Sequence, residues 1–179
     1  NGVDYEEYNP QTDPRLFVNY GSLGDKVGNK TGLQEHLNLP VNKEIPLLAL
    51  VSRLVPQKGL DLLAHILDEL LQEELQLVVL GTGEERYENM FRYFASRYPG
   101  KLAAAVRFDD DLAHKIYAGA DLLLMPSLFE PCGLSQMIAM RYGTIPLVRE
   151  TGGLKDTVIP YNKYTGEGNG FSFANYNAH

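Results

Sequence analysis

With 179 residues, 44% of them hydrophobic and 22% charged, the chain is sized for one globular domain burying roughly 70% of its unfolded surface. A formal net charge of -7 argues against nucleic acid or an anionic membrane as partner, so a phosphate site has to be a local basic patch in an acidic protein. The single cysteine excludes an internal disulfide and zinc-ribbon spacing, and no run is long and apolar enough for a signal peptide or a membrane span, so the cytoplasm is the expected compartment.

Residues 1–24, rich in Asn, Asp, Pro, Gly and Tyr without a period, read as an inter-domain linker; 25–179 read as the domain. The chain opens without Met and closes on FANYNAH, and it reads as a piece of a longer protein. Asp25 to Leu39 predicts a short helix with Val27, Leu33 and Leu37 inward, stopped by Pro40. Pro46 to Ser52 (PLLALVS) predicts a buried strand, and Leu60 to Leu71 a helix with Leu60, Leu63, Leu67 and Leu70 on one face. Gln76 to Leu80 follows as a strand, Gly81 to Gly83 as a turn, and Glu84 to Arg97 as a helix with Tyr87, Met90, Phe91 and Phe94 inward. Leu102 to Phe108 predicts a third strand, Asp109 to Gly119 a helix, and Asp121 to Met125 a fourth strand. Then come a helix over Leu134 to Tyr142, a strand over Ile145 to Val148, a helical turn over Leu154 to Ile159 and a short strand over Gly170 to Phe173. Continuous apolar strands alternating with helices mean a parallel sheet covered on both faces, a doubly wound α/β fold.

In that fold ligands bind beyond the carboxyl ends of the strands, where the strand order reverses; in the order 3-2-1-4-5-6 that point lies between the first and fourth strands. The loop after the first strand carries Arg53 and Lys58, around a turn stiffened by Pro56 and opened by Gly59 into a helix, which suits a diphosphate. The loop after the fourth carries Glu130, so two cations and a carboxylate converge on one crevice. Pro131 and Gly133 follow, and the amides from Gly133 to Gln136 stand at a helix start, where an anion can bind. The GTG of Gly81, Thr82 and Gly83 either admits ribose or phosphate or is a tight turn; Phe108 either stacks on a base or packs as a strand-end aromatic. Asp109, Asp110 and Asp111 point in different directions and read as helix-capping acids in preference to metal ligands. Cys132 beside a helix start has the placing of a nucleophile but no paired His, and His36 and His114 read as structural or exposed.

The strings SRLVPQKGLDLL, GTG, AGADLLLMPSLFEPCGLSQMIAMRYGTIPLV and RETGGLKDTV closely resemble the carboxyl-terminal domain of bacterial glycogen synthases and plant starch synthases. The resemblance implies a Rossmann-like domain of a two-domain GT-B glycosyltransferase, which moves glucose from a nucleotide sugar to the non-reducing end of an α-1,4-glucan with retention of configuration. It implies that Arg53 and Lys58 hold the diphosphate and that Glu130 supports the donor glucose. It further puts the backbone of Cys132, Gly133, Leu134 and Ser135 against sugar and phosphate, with Phe108 under the adenine. The family commonly has Tyr at that last position, which bears on ADP over UDP preference. Ile138 stands where sugar transferases with paired glutamates carry a second Glu. The implied partners are ADP-glucose or ADP, the glucan and an amino-terminal domain, with no cofactor or metal, in the cytoplasm or, for a plant protein, the plastid. The piece alone is expected to bind nucleotide weakly without catalysing.

Two other classes make different demands. A flavodoxin-like module requires an acidic pocket after the first strand, where Arg53 stands; a dehydrogenase half requires GxGxxG there. A UDP-sugar transferase is the nearer alternative.

Overall fold

The computed structural model describes residues 4–127, 134–149 and 171–173. After a single 3-10 turn at Leu23–Lys26, the elements are α1 (Val27–His36), β1 (Leu47–Val51), α2 (Leu60–Leu70), β2 (Gln76–Leu80), α3 (Glu85–Arg97), β3 (Leu102–Ala105), α4 (Asp110–Gly119), β4 (Leu122–Met125), α5 (Leu134–Arg141), β5 (Ile145–Arg149) and β6 (Phe171–Phe173). The strands pair in parallel in the order β3-β2-β1-β4-β5-β6, the doubly wound arrangement expected.

The apolar strands are continuous because both faces of the sheet are covered. Leu47 and Ala49 of β1, with Val78 and Leu80 of β2, meet Leu33, Leu112, Ile116 and Ile138 from α1, α4 and α5. Their neighbours Leu48, Leu50, Leu77 and Val79 point the other way, against Leu60, Leu63 and Leu67 of α2 and Tyr87 and Phe91 of α3. Helices α2 and α3 thus lie on one face and α4 and α5 on the other. The chain therefore reverses between β1 and β4. Among the described residues no helix is long and apolar enough to cross a membrane.

Three expectations need correction. β3 ends at Ala105, before Phe108, because the Arg107 amide donates to the Ala105 carbonyl at 3.0 Å and turns the chain out of the sheet. Val27 lies outward, 42% exposed. The inner side of α1 is polar instead: Asn29, Lys30 and Gln34 are buried, and α1 is seated by specific bonds in place of an apolar stripe. The Asn29 side chain bonds Val18 main chain at 2.7 and 3.2 Å, Lys30 meets Asp121 at 2.8 Å, and the Gln34 amide donates to Gln76 at 2.8 Å. Leu70, Met90 and Phe94 face inward as expected, half-buried and packed against the core. The helical turn expected over 154–159 lies outside the described residues.

Candidate functional site

The loop after β1 is held from both sides by backbone. Ser52 and Leu54 continue the β1–β2 ladder, their amides donating to Leu80 and Thr82 carbonyls at 3.1 and 2.8 Å, and the Leu54 carbonyl accepts from Glu84 at 2.9 Å. This requires glycines in the facing turn. A Cβ at Gly81 would lie 1.9 Å from the Ser52 carbonyl oxygen, and one at Gly83 would lie 2.2 Å from that of Leu54. Beyond the buried Leu54, Pro56–Lys58 makes a single 3-10 turn that ends in Gly59, at φ 75°. A Cβ at Gly59 would fall 1.7 Å from the Pro126 carbonyl oxygen, so the loop is lodged against the end of β4. These contacts carry Arg53 and Lys58 to the place where the strand order reverses.

A cleft of about 210 Å³ lies over the carboxyl ends of β3, β2 and β1. Arg107 and Phe108 line one end, Gly81 and Thr82 the middle, and Ser52, Arg53 and Ser135 the β1 side, with Tyr117 of α4 beneath. A small hollow adjoins it at Val51, Ser52 and Ser135, and is completed by Lys58, Pro126 and Ser127. Phe108, 90% exposed, thus stands at one extreme and the two cations at the other.

Asp109, Arg107 and Tyr117 at the cleft are held by their neighbours. Asp109 caps α4, its Oδ1 accepting from the Leu112 amide at 2.9 Å while its Oδ2 accepts from Arg107 Nε at 3.1 Å. The Leu112 amide and then Arg107 hold its carboxyl below the usual range. Burial pushes the Tyr117 hydroxyl up to about 12, only partly opposed by its bond to Ser135, so it is a neutral floor for the cleft at physiological pH.

Of the residues expected at the site, the structure gathers Arg53, Gly81, Thr82, Phe108 and Ser135 around the cleft and sets Lys58 in the adjoining hollow. Gly83 serves the packing of Leu54 and does not line the cleft; Leu134 begins α5, 41% exposed, and does not line it either. Glu130, Cys132 and Gly133 lie outside the described residues, and so do their expected roles; Ser127 and Ser135, on either side of them in sequence, both line the hollow. Arg107, Ser52 and Tyr117 were missed by the sequence reading. Arg107 adjoins Phe108 and was legible; Tyr117 reaches the cleft only through the placement of α4.

The chain spans 38% of the length of the curated relatives it matches. Glycogen synthases of Clostridium acetobutylicum and Clostridium beijerinckii are each 61% identical to it, over 100% and 99% of its length. The catalytic domain of starch synthase IV from Arabidopsis thaliana, solved with ADP and acarbose, superposes with a TM-score of 0.86 at 38% identity, over 99% of this chain and 38% of that one. The carboxyl-terminal domain of the glycosyl transferase LpcC from Francisella tularensis shares the fold, with a TM-score of 0.69 at 14% identity over 99% of this chain and 82% of its own. These relatives agree with the resemblance to glycogen and starch synthases read from the motifs. With residues 34–179 matching the family described as glycosyl transferases group 1, the chain belongs to that family.

Proposed function

We propose that this chain is the donor-binding part of a retaining glucosyltransferase that moves glucose from ADP-glucose to the non-reducing end of an α-1,4-glucan, with an amino-terminal domain closing the site. The observation that carries the reading is the polarity of the cleft: an exposed aromatic on the β3 side and two cations at the β1–β4 switch point. Two strand spacings, roughly 10 Å, separate these ends, a span a ribose bridges between a base and its phosphates. Glycogen synthase relatives at 61% identity and a starch synthase solved with ADP support the same assignment.

The chemistry follows from charge. Breaking the bond between glucose and diphosphate leaves negative charge on the diphosphate and positive character on the sugar. Arg53 offers a planar pair of donors and Lys58 a point charge, and both lie where the departing group gathers charge. Glu130, between Ser127 and Leu134 in sequence, supplies the opposite sign for the sugar, and the amides at the start of α5 face the phosphate. The full length of the relatives is needed for turnover, and the chain alone binds the nucleotide without transferring glucose.

Calorimetric titration with ADP, UDP and ADP-glucose tests this. ADP and ADP-glucose are expected to bind, UDP more weakly, and Arg53→Ala and Lys58→Ala each to weaken ADP by about tenfold or more. Indifference to all three nucleotides, or unchanged ADP affinity in both variants, would remove the donor site; a preference for UDP would leave the site and replace the donor.

A further inference from the structure

On the face opposite α2, the segment ahead of α1 packs over α4 around a fully buried histidine. His114 Nδ1 lies 2.6 Å from Asp13 Oδ2, and the same oxygen accepts from the Tyr142 hydroxyl at 2.6 Å. Tyr8 stacks on the ring, with centroids 4.8 Å apart and planes 9° from parallel. A carboxylate can only accept, so Nδ1 donates on this side, and Nε2 is the ring nitrogen left to offer a lone pair to a metal. Nε2 is buried and has no hydrogen-bond partner. It faces carboxylates: Asp110 Oδ2, one helical turn back along α4, is 3.7 Å away, and ligand atoms of Glu7, Asp110 and His114 all fall within 4.8 Å of one another.

We propose that Glu7, Asp110 and His114 form a site for a divalent transition metal of the zinc class, joining the leading segment to α4. A tetrahedral ion with bonds of about 2.1 Å spaces its ligands by roughly 3.4 Å, so the His114–Asp110 pair is close to the required separation and the exposed Glu7 side chain closes the remainder. The i, i+4 spacing puts Asp110 and His114 on one side of the helix. Asp13 behind the ring is the outer carboxylate that ordinarily orients a metal-binding imidazole. One nitrogen and two oxygens leave a fourth position for water and favour zinc over magnesium or calcium, which prefer all-oxygen sets. Arg15 is the competitor: its guanidinium stands 3.8 Å from both Glu7 and Asp110, longer than a good hydrogen bond, with Asp111 at 3.4 Å available when it withdraws.

The test is titration of the chain with Zn²⁺ by calorimetry and with Co²⁺ by visible absorption near neutral pH. One ion per chain is expected, with tetrahedral cobalt bands and a raised unfolding temperature. Asp110→Asn and Glu7→Gln, both at exposed carboxylates, should each weaken binding by about tenfold or more, and Arg15→Gln should tighten it. Absence of a one-to-one site, or affinity equal to wild type in both carboxylate variants, as for metal held only by other histidines, would overturn the proposal.

Discussion

At the scale of single residues the site is a matter of which side chains are released from the fold. Phe108 is 90% exposed, the largest such exposure among the described large hydrophobic residues, and the turn after Ala105 is what places it there. An aromatic left in water contributes nothing to the core, so its removal separates binding from stability. Phe108→Ala should weaken ADP by about tenfold, the lower end of the 1–3 kcal/mol typical of a base on an aromatic ring, with the thermal midpoint unchanged. Phe108→Tyr should retain binding. An alanine variant that binds ADP as wild type does would detach the ring from the nucleotide. Sequence made Phe108 a candidate but put it at the end of a strand, since VRF continues the apolar pattern and a single backbone bond decides where the strand stops.

Among the elements, the loop between β1 and α2 is the part whose position matters most, and it is set by backbone approach more than by side-chain packing. Gly59 combines a left-handed φ of 75° with a gap of 1.7 Å between a built Cβ and the Pro126 carbonyl oxygen. Gly59→Ala must therefore displace either the loop or the end of β4, and should cost at least about 3 kcal/mol of stability by urea unfolding, with loss of ADP affinity as Lys58 moves. Gly24, whose built Cβ meets nothing nearer than Ser22 Oγ at 4.0 Å, is the control and should cost less than about 0.5 kcal/mol as alanine. Equal effects of the two substitutions would show that the loop is not anchored through Gly59. The strand order, and with it the placing of Arg53 and Lys58 beyond the carboxyl end of β1, was legible because apolar runs and crossover rules prescribe it; Glu130, the carboxylate expected to converge with them, lies outside the described residues. The use of Gly81 and Gly83 as room for the neighbouring loop was not, since a glycine in sequence does not say which backbone approaches it. The polar inner side of α1 was likewise hidden, because Asn29, Lys30 and Gln34 are buried by partners distant in sequence.

Across the whole molecule, long-range polar links stitch the first thirty or so residues to the far half of the chain. Asp13 reaches His114 and Tyr142, the Tyr20 hydroxyl donates to the Tyr142 carbonyl at 2.6 Å, and Lys26 crosses to the end of α4. Lys26 Nζ is buried and donates to the carbonyls of Tyr117 and Ala118 and to Thr144 Oγ1. It thereby caps the last turn of the helix. Burial, reinforced by Lys30 and opposed by Asp121, pulls its pKa down to about 7. An unfolded lysine holds its proton to about pH 10.4, so between these values the unfolded chain binds more protons and stability rises with pH, by at most about 1.4 kcal/mol per unit. Tyr20 and Tyr142, both pushed upward mainly by burial, reverse the trend only above about pH 10, where free tyrosine begins to ionise. Lys26→Met leaves the two helix-end carbonyls without this donor and should cost about 1–3 kcal/mol. The difference from wild type should widen between neutral and mildly alkaline pH, because the variant lacks the proton whose release favours the fold. Urea midpoints measured across that interval decide the matter: parallel pH profiles for the two proteins would mean that Lys26 keeps its proton within the fold, with its three acceptors outweighing the cost of burial.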